Sequence, residues 1–242
     1  MPNAIDRLPS EDPRVKYGLF TVTEAAVYLG VPPSTFQTWV RGYERRSPGQ
    51  KPVVGKAIVS SLSVPLGHPN IPFIGLAEGL VLAAFRKAGV PLQRIRPALE
   101  RLDQEIGLEH ALASKRLYTD GAEVLYDFAA KDEDDVIREL VTVRSGQRLF
   151  VPVVRNYLRR ITYASDRWAS QILLPGYEAA RVIVDVQRAF GRPIIESARL
   201  PVEEVVDRWL AGDSIGELVR DFDLTQDQVE DVIRAATRVA AA

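Results

Sequence analysis

The sequence predicts a mainly α-helical fold with small β-hairpins, in which short helices are grouped near each end of the chain. Apolar residues recur at helical spacing through most of the chain, and glycine or proline marks the ends of most of these segments. The length of 242 residues is that of two domains of ordinary size. We therefore expect one domain at each end, with a connecting region between them.

A helix pair is predicted near the N-terminus. Thr23 is a suitable N-cap for the first helix, and Gly30 ends it. Pro33 opens a second helix over residues 34–41, because a proline in the first turn lacks only an N–H that would be unpaired there. The alternating segment 51–64 then predicts a short β-hairpin after the helix pair.

The rest of the chain is predicted to alternate between helices and short strands. In the middle of the chain, helices are predicted over residues 76–88, 91–105 and 131–140, and strands over residues 118–128. Residues 151–174 mix aromatic and β-branched residues with arginines, and their pattern leaves helix and strand open. Toward the C-terminus, a strand is predicted at 182–185, a turn at 191–193, and helices at 201–211, 214–222 and 225–240.

The composition excludes several classes of protein. The absence of cysteine excludes a disulfide framework, a zinc-thiolate site and a cysteine nucleophile, and is consistent with the cytoplasmic location that we expect. No run of about 18 apolar residues occurs, so no membrane partner is expected. The histidines His68 and His110 lie in unrelated contexts, and no phosphate loop or metal-ligand spacing is present. We therefore expect a non-enzyme without cofactor or metal.

The net charge of −1 conceals strong segregation of charge along the chain. Residues 13–60 carry seven basic and two acidic side chains, a net of +5, and residues 148–168 carry a net of +4. Residues 119–141 carry a net of −6, and residues 196–231 a net of −8. Because phosphate-binding surfaces need local positive charge, only the two basic segments are candidates for contacting nucleic acid.

Residues 23–41, TEAAVYLGVPPSTFQTWVR, resemble the helix-turn-helix of MerR-like regulators. The resemblance continues through residues 74–95 and spans residues 17–102, and it implies a winged helix-turn-helix that binds DNA. The chain lacks the long dimerisation helix of typical members, and it has no cysteine for sensing a metal. The second helix would point short polar and basic side chains into the major groove, and the wing would follow the phosphate backbone. The candidate DNA-binding residues are Thr23, Ser34, Thr35, Gln37, Thr38, Arg41, Tyr43, Arg45, Arg46, Lys51 and Lys56.

Residues 181–236 resemble a small bacterial antitoxin domain of the VapB type, with a Gly-Arg-Pro-x-Ile stretch, an Arg-Leu-Pro-Val stretch and three final helices. The chain has Glu196-Ser197-Ala198 where the family usually carries Gly-Thr before the arginine, so a backbone contact of that glycine is in doubt. The acidic surface repels phosphate, which favours a protein-binding or dimerising role for this domain. The motif residues, which we expect to shape turns, are Gly191, Pro193, Arg199, Pro201 and Gly212.

The VapB resemblance implies a PIN-like ribonuclease toxin as the partner, and such enzymes bind metal through clustered carboxylates. An arginine fork pairs well with a carboxylate, and tyrosine, tryptophan and arginine are enriched at interface hot spots. The candidate toxin-binding residues are Arg155, Tyr157, Arg159, Arg160, Tyr163, Arg167 and Trp168. A basic linker that packs against the acidic segment 119–141 explains the same pattern equally well.

These features predict four parts: a flexible tail at 1–16, a MerR-like winged helix-turn-helix at 17–110, a connecting α+β region at 111–180 and an antitoxin-type trihelical domain at 181–242. The leading hypothesis is an antitoxin that neutralises a PIN-type toxin, represses its own operon by binding operator DNA, and forms a homodimer or a larger hetero-oligomer. The alternatives are a stand-alone MerR-like transcription regulator with a ligand- or protein-binding C-terminal domain, and a protein-binding adaptor.

Overall fold

The computed structural model describes residues 8–45, 53–65, 67–91, 96–97, 99–100, 110–117, 121–122, 125, 140–144 and 147–240. Within these ranges the helices are α1 Pro13–Lys16, α2 Val22–Tyr28, α3 Pro33–Arg41, α4 Phe73–Lys87, α5 Pro152–Leu158, α6 Val202–Leu210, α7 Ile215–Phe222 and α8 Gln226–Ala240. The strands are β1 Tyr43–Arg45, β2 Val53–Gly55, β3 Val141–Arg144, β4 Gln147–Phe150, β5 Ile161–Tyr163, β6 Ala169–Leu173, β7 Val182–Asp185, β8 Ile194–Ile195 and β9 Leu200–Pro201. The fold is therefore mixed, with helices at both ends and three antiparallel sheets.

The predicted N-terminal helix pair is present as α2 and α3, with one change at its start. The N-cap is Thr21, and Thr23 lies inside the helix. The Thr21 Oγ1 atom accepts a hydrogen bond from the Glu24 N–H at 3.2 Å, and the Glu24 carboxylate accepts one from the Thr21 N–H at 2.7 Å. This reciprocal capping box pairs two N–H groups that a helix start would otherwise leave unpaired.

The turn and the end of α3 depend on two glycines in the left-handed region. Gly30, at φ 67°, follows α2, and Gly42, at φ 74°, ends α3. A Cβ atom at Gly42 would lie 2.2 Å from the carbonyl oxygen of Gly55, so only glycine permits this close approach of α3 to the following hairpin.

The hairpin after α3 uses different strands from those predicted. Strand β1 pairs antiparallel with β2, with Tyr43 opposite Gly55 and Arg45 opposite Val53. The prediction had placed both strands within residues 51–64. It was wrong because the alternating apolar residues after Gly55 lie in a segment that is not part of this sheet. We call this hairpin, together with residues 56–59 that follow it, the wing.

The predicted helix over residues 76–88 is confirmed as α4, which begins three residues earlier and forms the centre of the molecule. Every residue from Phe73 to Phe85 is buried, so this helix is packed on all sides. Gly79 permits close packing, because a Cβ there would lie 2.6 Å from the Phe36 ring and 2.8 Å from Leu29. Helix α4 thus supports α2 and α3 on one side and α5 on the other.

The main correction concerns the sheets. Five strands, in the order β5-β6-β7-β8-β9, form one antiparallel sheet where only small hairpins were predicted. Within the undecided segment 151–174, the chain forms α5 and then strands β5 and β6. The predicted strands at 118–128 are also wrong where the structure describes them, since Gly121, Ala122 and Leu125 are helical. The predicted helices at 91–105 and 131–140 lie largely outside the described residues.

The three C-terminal helices α6, α7 and α8 confirm the predicted order and differ from the predicted bounds by one residue at most ends. Strand β7 pairs with β6, β8 with β7 and β9 with β8, so strands from both sides of residue 181 belong to one sheet.

One continuous hydrophobic core joins the N-terminal and C-terminal parts. The rings of Tyr28 on α2 and Tyr177 are stacked with their centroids 6.2 Å apart. The Gly176 N–H donates to the Tyr28 carbonyl at 2.9 Å, and Asp231 on α8 accepts three backbone N–H groups from residues 178–180. The helix-turn-helix is therefore fixed against the C-terminal half by packing and by directed hydrogen bonds.

The expected flexible tail at 1–16 contains an ordered helix. Helix α1 is capped by Asp12, and Arg14 on it is buried. The Arg14 guanidinium pairs with Asp12 at 2.7 Å and with Asp166 at 2.5 Å. This pairing removes Arg14 from the basic surface that the charge count had suggested, and it ties the start of the chain to the turn before β6.

Candidate nucleic-acid and partner-binding surfaces

Helix α3 has one buried face and one exposed polar face. Phe36, Trp39 and Val40 are buried, and their spacing places them on the side that packs against the core. Ser34, Gln37 and Arg41 are exposed. These three candidates share one accessible face, which is the arrangement that a recognition helix needs to reach base edges and phosphates.

The two threonines of α3 are less accessible than the sequence suggested. Thr35 and Thr38 are half-buried, and both border a small cavity between α3, α4 and Val90. The Thr38 hydroxyl donates to the Ser34 carbonyl of its own helix at 2.9 Å. Thr23 on α2 is also half-buried. Ser34, Gln37 and Arg41 are therefore more accessible to DNA than the three threonines of the predicted set.

The wing is held in a defined position beside α3. The N–H groups of Ile58 and Val59 donate to the Trp39 carbonyl at 2.8 and 3.2 Å. Tyr43 on β1 is half-buried, and the guanidinium carbon of Arg96 lies 5.2 Å from the centre of its ring. Lys56 is exposed just after β2.

Three of the basic wing candidates lie partly or wholly outside the described residues. Arg45 lies on β1 opposite Val53, and only its backbone is described. Arg46 and Lys51 lie outside the described residues. Lys56 is thus the basic wing candidate whose side chain is described, and it is exposed.

The Arg14 ion-pair cluster has shifted acid–base properties. Burial opposes the charge on Arg14, but the hydrogen bonds that its guanidinium donates to Asp12 and Asp166 outweigh this effect and raise the pKa of Arg14. The hydrogen bond from Arg14 lowers the pKa of Asp166. Burial raises the pKa of Asp12, and the hydrogen bonds with Arg14 more than reverse that effect and lower it. This cluster is a structural tie, because both carboxylates are already paired.

The predicted arginine and aromatic segment is distributed over α5, β5 and the turn before β6. Within it, Arg159 and Arg167 are exposed, whereas Arg155, Tyr157, Arg160 and Tyr163 are half-buried. Trp168 is 3% exposed and bridges to Ser114 through a backbone pair, so its assignment to a toxin-contacting set is corrected to a core role. The Lys87 ammonium, at the end of α4, lies 5.7 Å from the centre of the Tyr157 ring, so this tyrosine lies beside α4.

Four of the five motif residues lie next to β8, β9 or α6, and the fifth, Pro201, ends β9. Gly191, at φ 78°, packs so closely on Leu19 that a Cβ would lie 2.6 Å from it. Arg199 is exposed and adopts a left-handed φ of 55°, and Gly212 follows α6 at φ 108°. Pro201 caps α6, and the half-buried Pro193 precedes β8. Their positions fit the expected turn-shaping roles, while Arg199 also presents a charge to solvent.

Two exposed apolar side chains in the C-terminal half were not predicted from the sequence. Phe190 is 87% exposed and is held at a left-handed φ of 55°, and Leu210 at the end of α6 is 69% exposed. Large apolar side chains this exposed are candidates for partner contact. Neighbouring Arg188 and Arg199 border a cavity of about 440 Å³ beside residue 190. The signal in the sequence for a turn at Phe190 is the glycine that follows it, Gly191.

The outer surface of α6, α7 and α8 is dominated by carboxylates. The exposed acidic residues there are Glu203, Glu204, Asp207, Glu217, Asp221, Asp223 and Asp227. Arg208 is engaged by Asp213 at 2.5 Å and by Asp221 at 2.7 Å, and these hydrogen bonds raise its pKa. The surface around these pairs therefore remains acidic and disfavours approach to a phosphate backbone.

A buried polar cluster lies below the wing and was not found from the sequence. The Glu78 carboxylate on α4 accepts hydrogen bonds from the Ser60 N–H at 2.6 Å and from the Ser60 hydroxyl at 3.0 Å. The Nδ1 atom of His110 lies 2.9 Å from both Glu78 Oε1 and Ser60 Oγ. These residues are 18 to 50 positions apart in sequence, so no local pattern brings them together.

Other site classes find no support in the described part of the chain. No group of three or more potential ligands is placed there to hold a metal ion. Among the same residues, no helix is long and apolar enough to cross a membrane. The surfaces that remain are the exposed face of α3 with its wing, and the acidic C-terminal half with its exposed apolar residues.

The fold and the exposed α3 face define a helix-turn-helix protein with a wing. A family model described as "Putative DNA-binding HTH domain" matches residues 18–99, and one described as "Protein of unknown function (DUF433)" matches residues 182–235. A crystal structure of Rv2018 from Mycobacterium tuberculosis is similar, with a TM-score of 0.75 and 39% identity, covering 91% of this chain and 99% of that one.

Two curated proteins of Mycobacterium tuberculosis are similar over almost their full lengths. "Putative antitoxin VapB45" is 44% identical over 223 residues, which is 90% of this chain and 93% of the relative. "Uncharacterized protein Rv2308" is 25% identical over 235 residues, covering 89% of this chain and 88% of the relative. The chain belongs to the VapB45 antitoxin family, with a helix-turn-helix DNA-binding domain at its N-terminus.

Proposed function

We propose that the protein binds operator DNA through the exposed face of α3 and represses its own operon in a MerR-like manner. The observation that carries this proposal is the exposure of Ser34, Gln37 and Arg41 on one face, while the rest of the helix is packed on the core. The wing lies beside that face, with Lys56 directed outward. A homodimer would present two such helices to a two-fold operator.

The DNA-binding proposal is tested by truncating the α3 face. We expect the double variant Gln37→Ala with Arg41→Ala to weaken binding to its own promoter by about tenfold or more, because base and phosphate contacts are lost. Fluorescence anisotropy on labelled promoter DNA measures the change. The matched control is Arg220→Ala, an exposed arginine on the acidic helix α7, which should leave affinity unchanged. Equal affinity of the double variant and the wild type would contradict the proposal.

We further propose that the C-terminal half neutralises a PIN-type ribonuclease toxin. The similarity to a protein named as an antitoxin supports a toxin partner. The exposed arginines Arg159 and Arg167 are the members of the predicted contact set best placed to pair with toxin carboxylates. Phe190 and Leu210 supply the exposed apolar area that a stable protein contact needs.

Co-expression with the product of the adjacent gene tests this partner. We expect the two proteins to elute as one complex in gel filtration, and the toxin's ribonuclease activity to be suppressed in that complex. The variant Phe190→Ser with Leu210→Ser should weaken the complex without loss of helical circular dichroism, since both side chains face solvent. Two separate peaks with the wild-type chain would overturn the proposal.

A further inference from the structure

A cavity of about 920 Å³ lies between the wing and α4, and two wing residues of the predicted DNA-binding set, Tyr43 and Lys56, are on its wall. Its walls come from β1 and β2, the segment 56–60, α4, residues 96, 97, 99 and 100, and residues 110–112. Pockets for small molecules usually measure about 300 to 1,000 Å³. The cavity therefore has the size for a small metabolite.

The wall of the cavity carries the guanidinium group of Arg96. Arg96 lies against the Tyr43 ring, and its Nη1 donates to the Lys56 carbonyl. The Nε and Nη2 atoms of Arg96 are buried and have no hydrogen-bond partner among the described residues. These two atoms form the side of a guanidinium that binds a carboxylate or a phosphate with two parallel hydrogen bonds. Burial lowers the pKa of Arg96, and Glu100 and Tyr43, which also line the cavity, act in the opposite direction without reversing it.

The wall of the cavity also carries hydrogen-bond acceptors. Glu78 is 4% exposed and reaches the cavity together with Ser60 and His110. The same Nδ1 atom of His110 meets both the Ser60 hydroxyl and the carboxylate, so the ring does not relay a proton between them as in a catalytic triad. A carboxylate in this setting favours an amino or hydroxyl donor on a ligand.

We propose that this cavity binds a small organic anion whose carboxylate or phosphate pairs with Arg96 and whose amino or hydroxyl group faces Glu78, Ser60 and His110. The apolar side of the cavity, at Ile58, Val59 and Leu112, would contact the remaining carbon skeleton. Because the N–H groups of Ile58 and Val59 bond to the end of α3, such a ligand would touch the wing and the support of the recognition helix together.

The test uses two probe sets, the twenty common amino acids for the carboxylate and the four ribonucleoside 5′-monophosphates for the phosphate. Saturation-transfer NMR with the full chain identifies bound probes, and calorimetry gives their dissociation constants. We expect at least one set to contain a binder, and Arg96→Ala to raise its dissociation constant by about tenfold or more through loss of a charged hydrogen-bond pair. Binding by amino acids alone or by nucleotides alone identifies which anion the site takes.

A second variant keeps the test independent of any folding defect in Arg96→Ala. The chain has no cysteine, so Ala57→Cys at the cavity wall can be labelled selectively with a bulky maleimide. The label should block the probe, whereas the same label on Ser197→Cys, an exposed site in the C-terminal half, should not. Absence of any binder, or binding that survives both Arg96→Ala and the label at position 57, would overturn the proposal. The DNA-binding double variant on α3 should retain the probe, so failure of the DNA proposal is distinguishable.

Discussion

Helix α2 near the N-terminus and helix α7 near the C-terminus begin in the same way. Thr21 and Glu24 form a capping box at α2, and Ser214 and Glu217 form one at α7. The neighbouring surfaces nevertheless differ in charge: α3 exposes serine, glutamine and arginine, whereas α6 to α8 expose mainly carboxylates. Local sequence thus sets the helix geometry in both regions in the same way. The difference lies in the exposed side chains, and it is the reason why we propose nucleic acid as the partner of one surface and protein as the partner of the other.

The largest expected effect is on the free energy of unfolding, and it concerns the buried side of the helix-turn-helix rather than its exposed face. Phe36 is fully buried and packs edge-on against Trp39, with ring centroids 5.8 Å apart. We expect Phe36→Ala to lower the free energy of unfolding by about 3–5 kcal/mol, because it opens a cavity in the core. Phe222→Ala, at a half-buried site on α7, should cost clearly less. Urea unfolding measures both, and equal losses would contradict a core centred on α3 and α4.

The next effect concerns the link between the two regions. The Asp231 carboxylate accepts backbone N–H groups of Glu178, Ala179 and Ala180 at 2.7, 2.8 and 3.0 Å. We expect Asp231→Ala to cost about 3 kcal/mol, since it leaves buried donors unpaired. Asp227→Ala, exposed on the same helix, should stay within about 0.5 kcal/mol of the wild type. Similar urea midpoints for the two variants would show that the two halves are not joined in this way.

The two capping boxes offer a matched pair of smaller effects. We expect Thr21→Ala and Ser214→Ala each to lower the free energy of unfolding by about 1 kcal/mol, because each removes the acceptor for one helical N–H. Thermal and urea unfolding compare the variants directly. No loss at either site would mean that the shared helix starts contribute nothing to stability.

The smallest effect is pH-dependent and lies at the ion pair of Arg14. Because the pKa of Asp166 is lowered in the folded protein, its stabilisation is complete above the unfolded value of about 3.9 and is lost as the pH falls through the folded value. The Asp166 side chain is 42% exposed, so solvent screening limits the effect to about 1 kcal/mol or less. Asp166→Asn should therefore be less stable than the wild type at neutral pH, and the difference should shrink below about pH 4. A difference that grows on acidification would contradict the pairing.

Local signals predicted the helices well and long-range pairings poorly. The segments of α2, α3, α4 and the last three helices follow from apolar spacing and from glycine or proline at their ends. The position of Glu24 three residues after Thr21 is a capping-box signal that could have located the start of α2 correctly. Helix boundaries depend on residues close in sequence, which is why this information was present in the chain.

The five-stranded sheet and the burial of Trp168 were missed because they depend on partners distant in sequence. Strands β5 and β6 are short, and aromatic and β-branched residues are mixed with arginines around them, so the pattern left helix and strand open. The cluster of Glu78, Ser60 and His110 likewise forms only when α4 packs below the wing. The exposed face of α3 was predictable because the helical period alone fixes which residues share a side.

The central claim is that DNA lies against α3 and away from the acidic helices. Because the chain has no cysteine, Gln37→Cys on α3 and Gln226→Cys at the start of α8 can each carry a chelated iron that cleaves nearby DNA. We expect the label at position 37 to cleave promoter DNA, and the label at position 226 to cause no cleavage above background. Cleavage from position 226 with none from position 37 would contradict the central claim.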